Sequence, residues 1–459
     1  MNSSSLAPRR NFLMDVIAMV LVTVCLLGMM MYVHQGIQQY DESTLTYMTT
    51  IKYERDQAKK NGVSLTETVL ARSADTIKAY PRIMIFLIVY FLAFSFWGLK
   101  NDAHIQSPLC AIFLLLGIGC SIKVLCHGFP GLTGEAGFLM MGCLAMAATF
   151  FIWRSLGFNL SNKLYWILVG LVTAMIILNW VAIIRGEKNP DELENGAANW
   201  VTIGSINIQP SEFIKAGLHM LGSCCNGKKI RKIVYCLFSA LGCFTVIKGN
   251  DIGTAFIIAL MFVMMVIVLF DEEWLNIALA VCAVVGFFLV IRESEVAVER
   301  MAAWGTAMTN TDHIQQRDFI TAIIRGGWSG LGMKEASRYF VIYSAGSDGA
   351  LGAVQAIYGL PMLLVTFASY LTLVCVAGFS RNVNRTTQPF LLQLSLMITA
   401  QVLLNYLGSL DVLPFTGIVA PLVSQGGTSI LCNMSLMGVM LAALHSKVSV
   451  PTTYPEVHK

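Results

Sequence analysis

Apolar positions along the chain fall in unbroken runs of bilayer length, with no alternation of polar and apolar residues. About twelve runs, long enough to cross a bilayer at roughly 17–25 residues or more, lie near 12–33, 83–99, 108–126, 136–153, 164–184, 209–225, 232–248, 252–270, 274–291, 350–378, 389–409 and 427–445. Runs of this length predict membrane-crossing helices, since strands are shorter and alternate. The run at 209–225 is short and moderately polar. Polar residues collect in four long connections, 34–82, 185–208, 292–349 and 410–426. The expected fold is an all-α polytopic membrane protein with a long structured outer loop at 292–349.

Composition narrows the class further. Of 459 residues, 56% are hydrophobic and 13% charged, against about 25% charged in a soluble domain. That leaves too few polar side chains to cover a water-exposed surface, and it also excludes disorder, which needs low hydrophobicity and high charge. The net charge of +4 is spread over short loops, so nucleic-acid binding has no support. The twelve cysteines show no CxxC spacing and sit in or beside apolar runs, where cysteine acts as a small hydrophobe. Phe12 to Val33 follows Arg9 and Arg10 and lacks a small-residue cleavage site, which predicts a retained span and no signal peptide.

Loop charge predicts the orientation. With both termini cytoplasmic, Arg9, Arg10, Lys100, Arg154, Lys163, Lys228, Lys229, Arg231, Lys232, Arg381, Arg385 and Lys447 all lie inside. The four long connections then lie outside, and chemistry is expected on that face.

Four stretches carry candidate chemistry. Asn195-Gly196-Ala197-Ala198-Asn199-Trp200 precedes Gln209-Pro210-Ser211-Glu212-Phe213-Ile214-Lys215, where Pro210 signals a helix start and Glu212 and Lys215 share a helix face. An embedded charge pair is either functional or architectural. In Asn250-Asp251-Ile252-Gly253-Thr254-Ala255, Asp251 reads as a helix cap and the small residues allow close helix packing. The long loop holds Arg300-Met301-Ala302-Ala303-Trp304, Gln315, Arg325-Gly326-Gly327-Trp328-Ser329-Gly330-Leu331-Gly332 and Ser347-Asp348-Gly349; Asp348 reads as a cap or as a base. Finally, Leu413-Pro414-Phe415-Thr416-Gly417 and Pro421-Leu422-Val423-Ser424-Gln425-Gly426-Gly427-Thr428-Ser429 predict an interrupted segment, tolerated at membrane depth only inside protein or along a cavity.

In order and together, these stretches resemble the SEDS family (shape, elongation, division and sporulation), the RodA and FtsW group of cell-wall polymerases. The family pattern runs Gly-Ala-x-Arg-Trp, Gln-Pro-Ser-Glu-x-x-Lys, Pro-Asp-Leu-Gly-Thr-Ala, Arg-x-x-Ala-Phe, Gly-Gly-x-x-Gly-x-Gly, His-Thr-Asp, Leu-Pro-x-x-Gly and Pro-x-x-Ser-Tyr-Gly-Gly-Ser-Ser. The resemblance implies a ten-helix core over 108–459, preceded by a 1–107 extension of two helices enclosing the connection 34–82. It further implies a glycosyltransferase that polymerises lipid II, an undecaprenyl-pyrophosphate disaccharide pentapeptide, on the outer face of the bacterial cytoplasmic membrane. Asp348 would be catalytic; Trp200, Glu212, Lys215, Arg300, Gln315, Arg325, Ser424, Gly426 and Gly427 would bind substrate. Gln209, Pro210, Ser211, Asp251, Gly253 and Thr254 would build the motif structure. A divalent cation, Mg or Mn, is a candidate aid to the departing pyrophosphate, and a class B penicillin-binding protein the expected partner.

Departures from the pattern leave other readings open. Asn199 stands for the family's Arg, Asn250 for its Pro and Gln425 for its Tyr. Tyr343-Ser344-Ala345-Gly346 replaces Pro-Glu-x-His, and Ala356-Ile357-Tyr358-Gly359 replaces Glu-Glu-Leu-Gly. A non-catalytic scaffold of a wall-synthesis complex is one alternative, and a lipid II flippase the other.

Overall fold

The computed structural model describes residues 12–38, 65–101, 105–126, 131–158, 160–188, 199–203, 206–225, 227–271, 273–292, 294–306, 314–332, 346–380, 386–424 and 426–445. Its helices are α1 (Phe12–Gln38), α2 (Leu65–Lys100), α3 (Gln106–Cys126), α4 (Gly131–Leu156), α5 (Asn162–Lys188), α6 (Pro210–Ser223), α7 (Lys229–Lys248), α8 (Ile252–Leu269), α9 (Glu273–Ile291), α10 (Glu295–Ala303), α11 (Ile314–Gly326), α12 (Ala350–Gly378), α13 (Gln388–Ser409) and α14 (Gly427–His445). A hairpin of β1 (Val201–Ile203) and β2 (Ile206–Ile208), paired antiparallel with Val201 opposite Ile208, stands before α6. Among the described residues, ten helices are long and apolar enough to cross a membrane.

Two expectations change. The run at 209–225 becomes a helix of 14 residues, about 21 Å at 1.5 Å per residue, short of the roughly 30 Å hydrocarbon layer. Gln209 is extended and the helix stops at Cys224, so α6 is a short helix between the two polar ends of the bundle, surrounded by α5, α7, α8, α13 and α14. The connection 34–82 is also shorter than hydropathy suggests: α1 continues to Gln38 and α2 already begins at Leu65. Hydropathy finds only the apolar part of a helix, and α2 has a polar first half. The centre of that connection, Arg9, Arg10, Asn195 to Ala198, Tyr343 to Ala345, Arg381, Arg385, Gln425 and Lys447 lie outside the described residues.

α1 and α2 pack on the core through α3. A methyl on Gly117 of α3 would stand 2.3 Å from Leu26 Cδ2, so the missing side chain sets how closely α1 approaches. At the other end of α1, the Tyr32 ring lies 6.1 Å from Tyr358 of α12. The polar ends of the bundle separate cleanly. One end carries Arg154 over the Trp97 ring at 5.2 Å and Arg231, whose guanidinium donates to the carbonyls of Cys224 and Leu160 at 2.8 Å. The opposite end carries the hairpin, α10, and the starts of α6, α8, α12 and α14.

α12 is kinked. Gly359 has φ 80° and ψ 179° inside it, with Pro361 two residues on. Into this kink docks the glycine turn after α11: Leu331 N–H donates to Ala356 O at 2.8 Å and Leu360 N–H to Trp328 O at 3.2 Å. A methyl on Gly359 would lie 2.1 Å from Trp328 O, so this joint excludes side chains.

Candidate active site

The segment between α13 and α14 is irregular over its described residues, and at Ile418, Ala420, Leu422, Val423 and Ser424 it is buried. Its backbone groups must therefore be satisfied from within the protein. Tyr370 OH donates to Pro421 O at 2.5 Å, Ser424 Oγ to Ser347 O at 2.5 Å, and Ala420 N–H to Ser424 Oγ at 2.7 Å. Arg300 Nη1 donates to Thr416 O at 3.0 Å. Gly417 follows with φ 73°, a left-handed conformation that L side chains avoid.

Asp348 lies in the turn before α12, beside Gly417. A methyl on Gly417 would stand 3.5 Å from Asp348 Oδ2 and 3.7 Å from Arg300 Nη1. A carboxylate and a guanidinium, 48 residues apart in sequence, thus converge on one bare stretch of backbone. α10 carries Arg300 there because it is pinned at both ends. Ser294 caps it by accepting from Ala297 N–H and donates to Asn250 Oδ1 at 3.3 Å. At its other end Trp304 Nε1 donates to Val412 O, and Gly305 N–H to Asp411 Oδ1, each at 3.1 Å.

A second cluster adjoins the first. Asp251 caps α8, accepting from Thr254 N–H at 3.1 Å, and its other oxygen accepts from Ser211 Oγ at 2.7 Å and Gln209 Nε2 at 3.0 Å. One carboxylate therefore joins the starts of α6 and α8. Gln209 N–H donates to Thr428 Oγ1 at 3.3 Å, adding α14. A methyl on Gly253 would touch Ile418 and lie 3.0 Å from Thr416 O, so this cluster abuts the segment that holds Arg300. Asn250 precedes it with φ 60°, and Asp251 N–H reaches back to Val246 O at 3.2 Å. This is the left-handed helix stop that Asn tolerates and a Pro, fixed near −65°, does not.

One turn deeper, Glu212 and Lys215 form an ion pair at 2.8 Å with 2% and 1% of each residue exposed. Glu212 Oε2 is buried without a hydrogen-bond partner. Other expected site residues stand apart. Trp200 is 40% exposed at the start of the hairpin, and Arg325 is exposed near the end of α11. Gln315 lies in the first turn of α11, its side chain outside the described residues. Gly427 faces α4, where a methyl would meet Phe138 at 2.3 Å, and Gly426 opens the turn into α14 with its carbonyl accepting from Ile430 N–H. Pro210 is buried at the first position of α6.

Sequence reasoning passes over Asn405, buried on α13, whose amide donates to Asp348 O and Ile418 O at 2.8 Å. The available signal is Gln401 and Asn405, one turn apart in an apolar helix, since polar residues inside membrane helices mark sites. It also passes over the hairpin, whose strands of three residues are too short for periodicity to register. Among the described residues no three His, Cys, Asp or Glu side chains gather, and Asp348 shares its glycine with a guanidinium. That donor set does not fit a divalent cation held by protein alone.

The family described as "Cell cycle protein", that of FtsW, RodA and SpoVE, matches residues 106–449, and the chain belongs to it. The match leaves α1 and α2 outside. A probable peptidoglycan glycosyltransferase FtsW of Bacillus subtilis (strain 168) is 24% identical over 79% of this chain and 90% of its own length. Peptidoglycan glycosyltransferase RodA of Mycobacterium leprae (strain TN) is 27% identical over 55% and 59%. Among solved structures, a chain from a peptidoglycan synthase complex that coordinates polymerisation and crosslinking aligns over 75% of this chain and 98% of its own, with TM-score 0.57 and 18% identity. A variant of the rod shape determining protein RodA of Thermus thermophilus aligns over the same shares with TM-score 0.51 and 18% identity. Those two likenesses establish the fold. Family membership and the ten apolar helices make the chain a multi-pass protein of the bacterial cytoplasmic membrane.

Proposed function

We propose that the protein is a peptidoglycan glycosyltransferase that polymerises lipid II at the outer membrane face, with Asp348 as its base. The observation that carries this reading is the convergence of Asp348 and Arg300 on Gly417. A sugar hydroxyl is a weak nucleophile and needs a positioned base; the pyrophosphate that departs from the anomeric carbon needs a cation. The acceptor hydroxyl loses its proton to Asp348 as its oxygen forms the new glycosidic bond, and the bond to the lipid pyrophosphate breaks with its electron pair on the leaving group. Arg300 is the cation beside that base. Gly417 supplies the close backbone approach that a sugar ring needs.

The domain division, the orientation and the partner belong to the same reading. Residues 1–107 form an extension on a core of 108–459, both termini are cytoplasmic, and a class B penicillin-binding protein crosslinks the product. The relatives' names and the lysines and arginines at the Arg154 and Arg231 end support it. A flippase is disfavoured because Gln209, Asp251, Arg300 and Asp348 gather at one end of the bundle, whereas alternating access works from a midplane site.

Purified protein, alone and with its transpeptidase, is supplied with lipid II and the products are resolved as glycan strands, with Asp348→Asn alongside. Strands from the wild type and none from an equally abundant, folded Asp348→Asn is the expected result. No strands from folded, partner-bound wild type overturns the enzyme in favour of a scaffold, for which the lost charges near Asp348 would be the explanation.

A further inference from the structure

We infer that Asn405 is the positioning residue that holds Asp348 in register with Arg300 and Gly417, an assignment that rests on the glycosyltransferase reading. An asparagine amide offers two N–H donors and one carbonyl acceptor. All are used here. Nδ2 donates to Asp348 O at 2.8 Å and Ile418 O at 2.8 Å, with Ser347 O at 3.3 Å sharing a donor. Oδ1 accepts from Leu351 N–H at 3.1 Å. That last bond is a cap supplied from another helix: the cap position before α12 is Gly349, which has no side chain to satisfy the first-turn donors.

Full use of the amide sets Asn405 apart. The other buried amides Gln106, Asn179, Asn199, Gln393, Gln401 and Asn433 each keep at least one polar atom without a hydrogen-bond partner. Asn405 is 1% exposed and joins two elements with no covalent reason to stay together. One is the turn that carries the Asp348 carboxylate. The other is the 416–418 segment, whose Thr416 carbonyl holds Arg300. Loss of the amide leaves the Asp348 and Ile418 carbonyls without this donor, while Ser347 O keeps Ser424 Oγ; the two segments can then part, and a displacement of about 1 Å at a reacting group costs on the order of 100-fold in rate.

The test uses the full chain with Asn405→Ala and Asn405→Asp. The aspartate has the same shape and still accepts from Leu351 N–H, but when ionised it donates to none of the three carbonyls. Hydrogen exchange is followed by amide in both variants, and polymerisation of lipid II is split into kcat and KM. Expected are faster exchange confined to 346–352 and 416–420, α1 to α3 unchanged, and kcat down about 100-fold with KM held within about twofold. In Asn405→Asp the Leu351 amide keeps its protection while kcat still falls. Unchanged exchange at both segments overturns the inference, as does exchange raised throughout the bundle, or full kcat despite local loosening. Wild type that makes no strands overturns the activity reading instead, and the exchange measurement then decides by itself whether Asn405 holds the two segments.

Discussion

Restoring the family's proline at position 250 should damage this protein. Asn250 adopts φ 60°, where the pyrrolidine ring, confined to about −65 ± 15°, cannot follow. The substitution also deletes the N–H that donates to Ile247 O at 2.9 Å and the carbonyl oxygen that accepts from Ser294 Oγ. Each lost bond is worth about 1 kcal/mol. Refolding the corner also displaces the Asp251 cap of α8, worth about 1 kcal/mol more, for a total near 3 kcal/mol. Asn250→Gly keeps the left-handed turn and loses the Ser294 bond, about 1 kcal/mol. Thermal unfolding of the detergent-solubilised protein, with yield of the monodisperse species, reads both. Asn250→Pro should lower the midpoint and the yield sharply, with Asn250→Gly close to wild type. Wild-type stability in Asn250→Pro would refute the left-handed corner and the account of how Asp251 and Ser294 are brought together.

Gly359→Ala meets a backbone conformation almost closed to other residues, at about 1–3 kcal/mol, plus the carbonyl of Trp328. Amide exchange at Leu331 and Leu360 should rise as the glycine turn leaves the α12 kink, and unchanged protection there would count against the joint. Lys215→Met strands the buried Glu212 carboxylate and should cost about 3–5 kcal/mol, while Glu212→Gln with Lys215→Met recovers most of it; equal losses in single and double variants would mean the pair is not coupled. Burial pushes the Cys224 and Cys225 thiols up to about 12, against the opposing pull of Arg231. Since the thiolate is the nucleophile, maleimide labelling of both should be slow at pH 7 and rise steadily to pH 10. Rapid labelling at pH 7 in folded protein would show that this turn is open.

Much of the architecture is legible in the sequence because bilayer length is a one-dimensional signal. Each expected apolar run is a helix, and the described residues of the interrupted segment 410–426 are irregular, with 420–424 buried, as its prolines and glycines require. The errors share a cause. Hydropathy measures apolar content, so it lengthened α6 at the expense of its extended Gln209 and ended α2 where the polar helix continues. The chemistry is legible in part. Asp348, Arg300 and Gly417 belong to three separate motifs in two stretches, but no spacing rule says that they meet, because the meeting is made by side chain to carbonyl bonds across the bundle.

Those bonds explain why the departures from the family pattern need not empty the site. Asn250 replaces a rigid residue with one that turns left-handed, and it gains an oxygen that accepts from Ser294, the cap of the helix bearing Arg300. The carboxylate of Asp251 joins Gln209, Ser211 and Thr254, which fixes α6 and α8 beside the Thr416 segment. Arg300, Asp348 and Gly417 are each held by a chain of bonds that runs through residues particular to this protein or passed over in its motifs, Asn250, Ser294 and Asn405 among them. Loss of charge near Asp348 changes what surrounds the base; the frame that presents it is built from amides, hydroxyls and backbone carbonyls, with the Asp251 and Asp411 carboxylates accepting at the starts of α6 and α8 and at the end of α10.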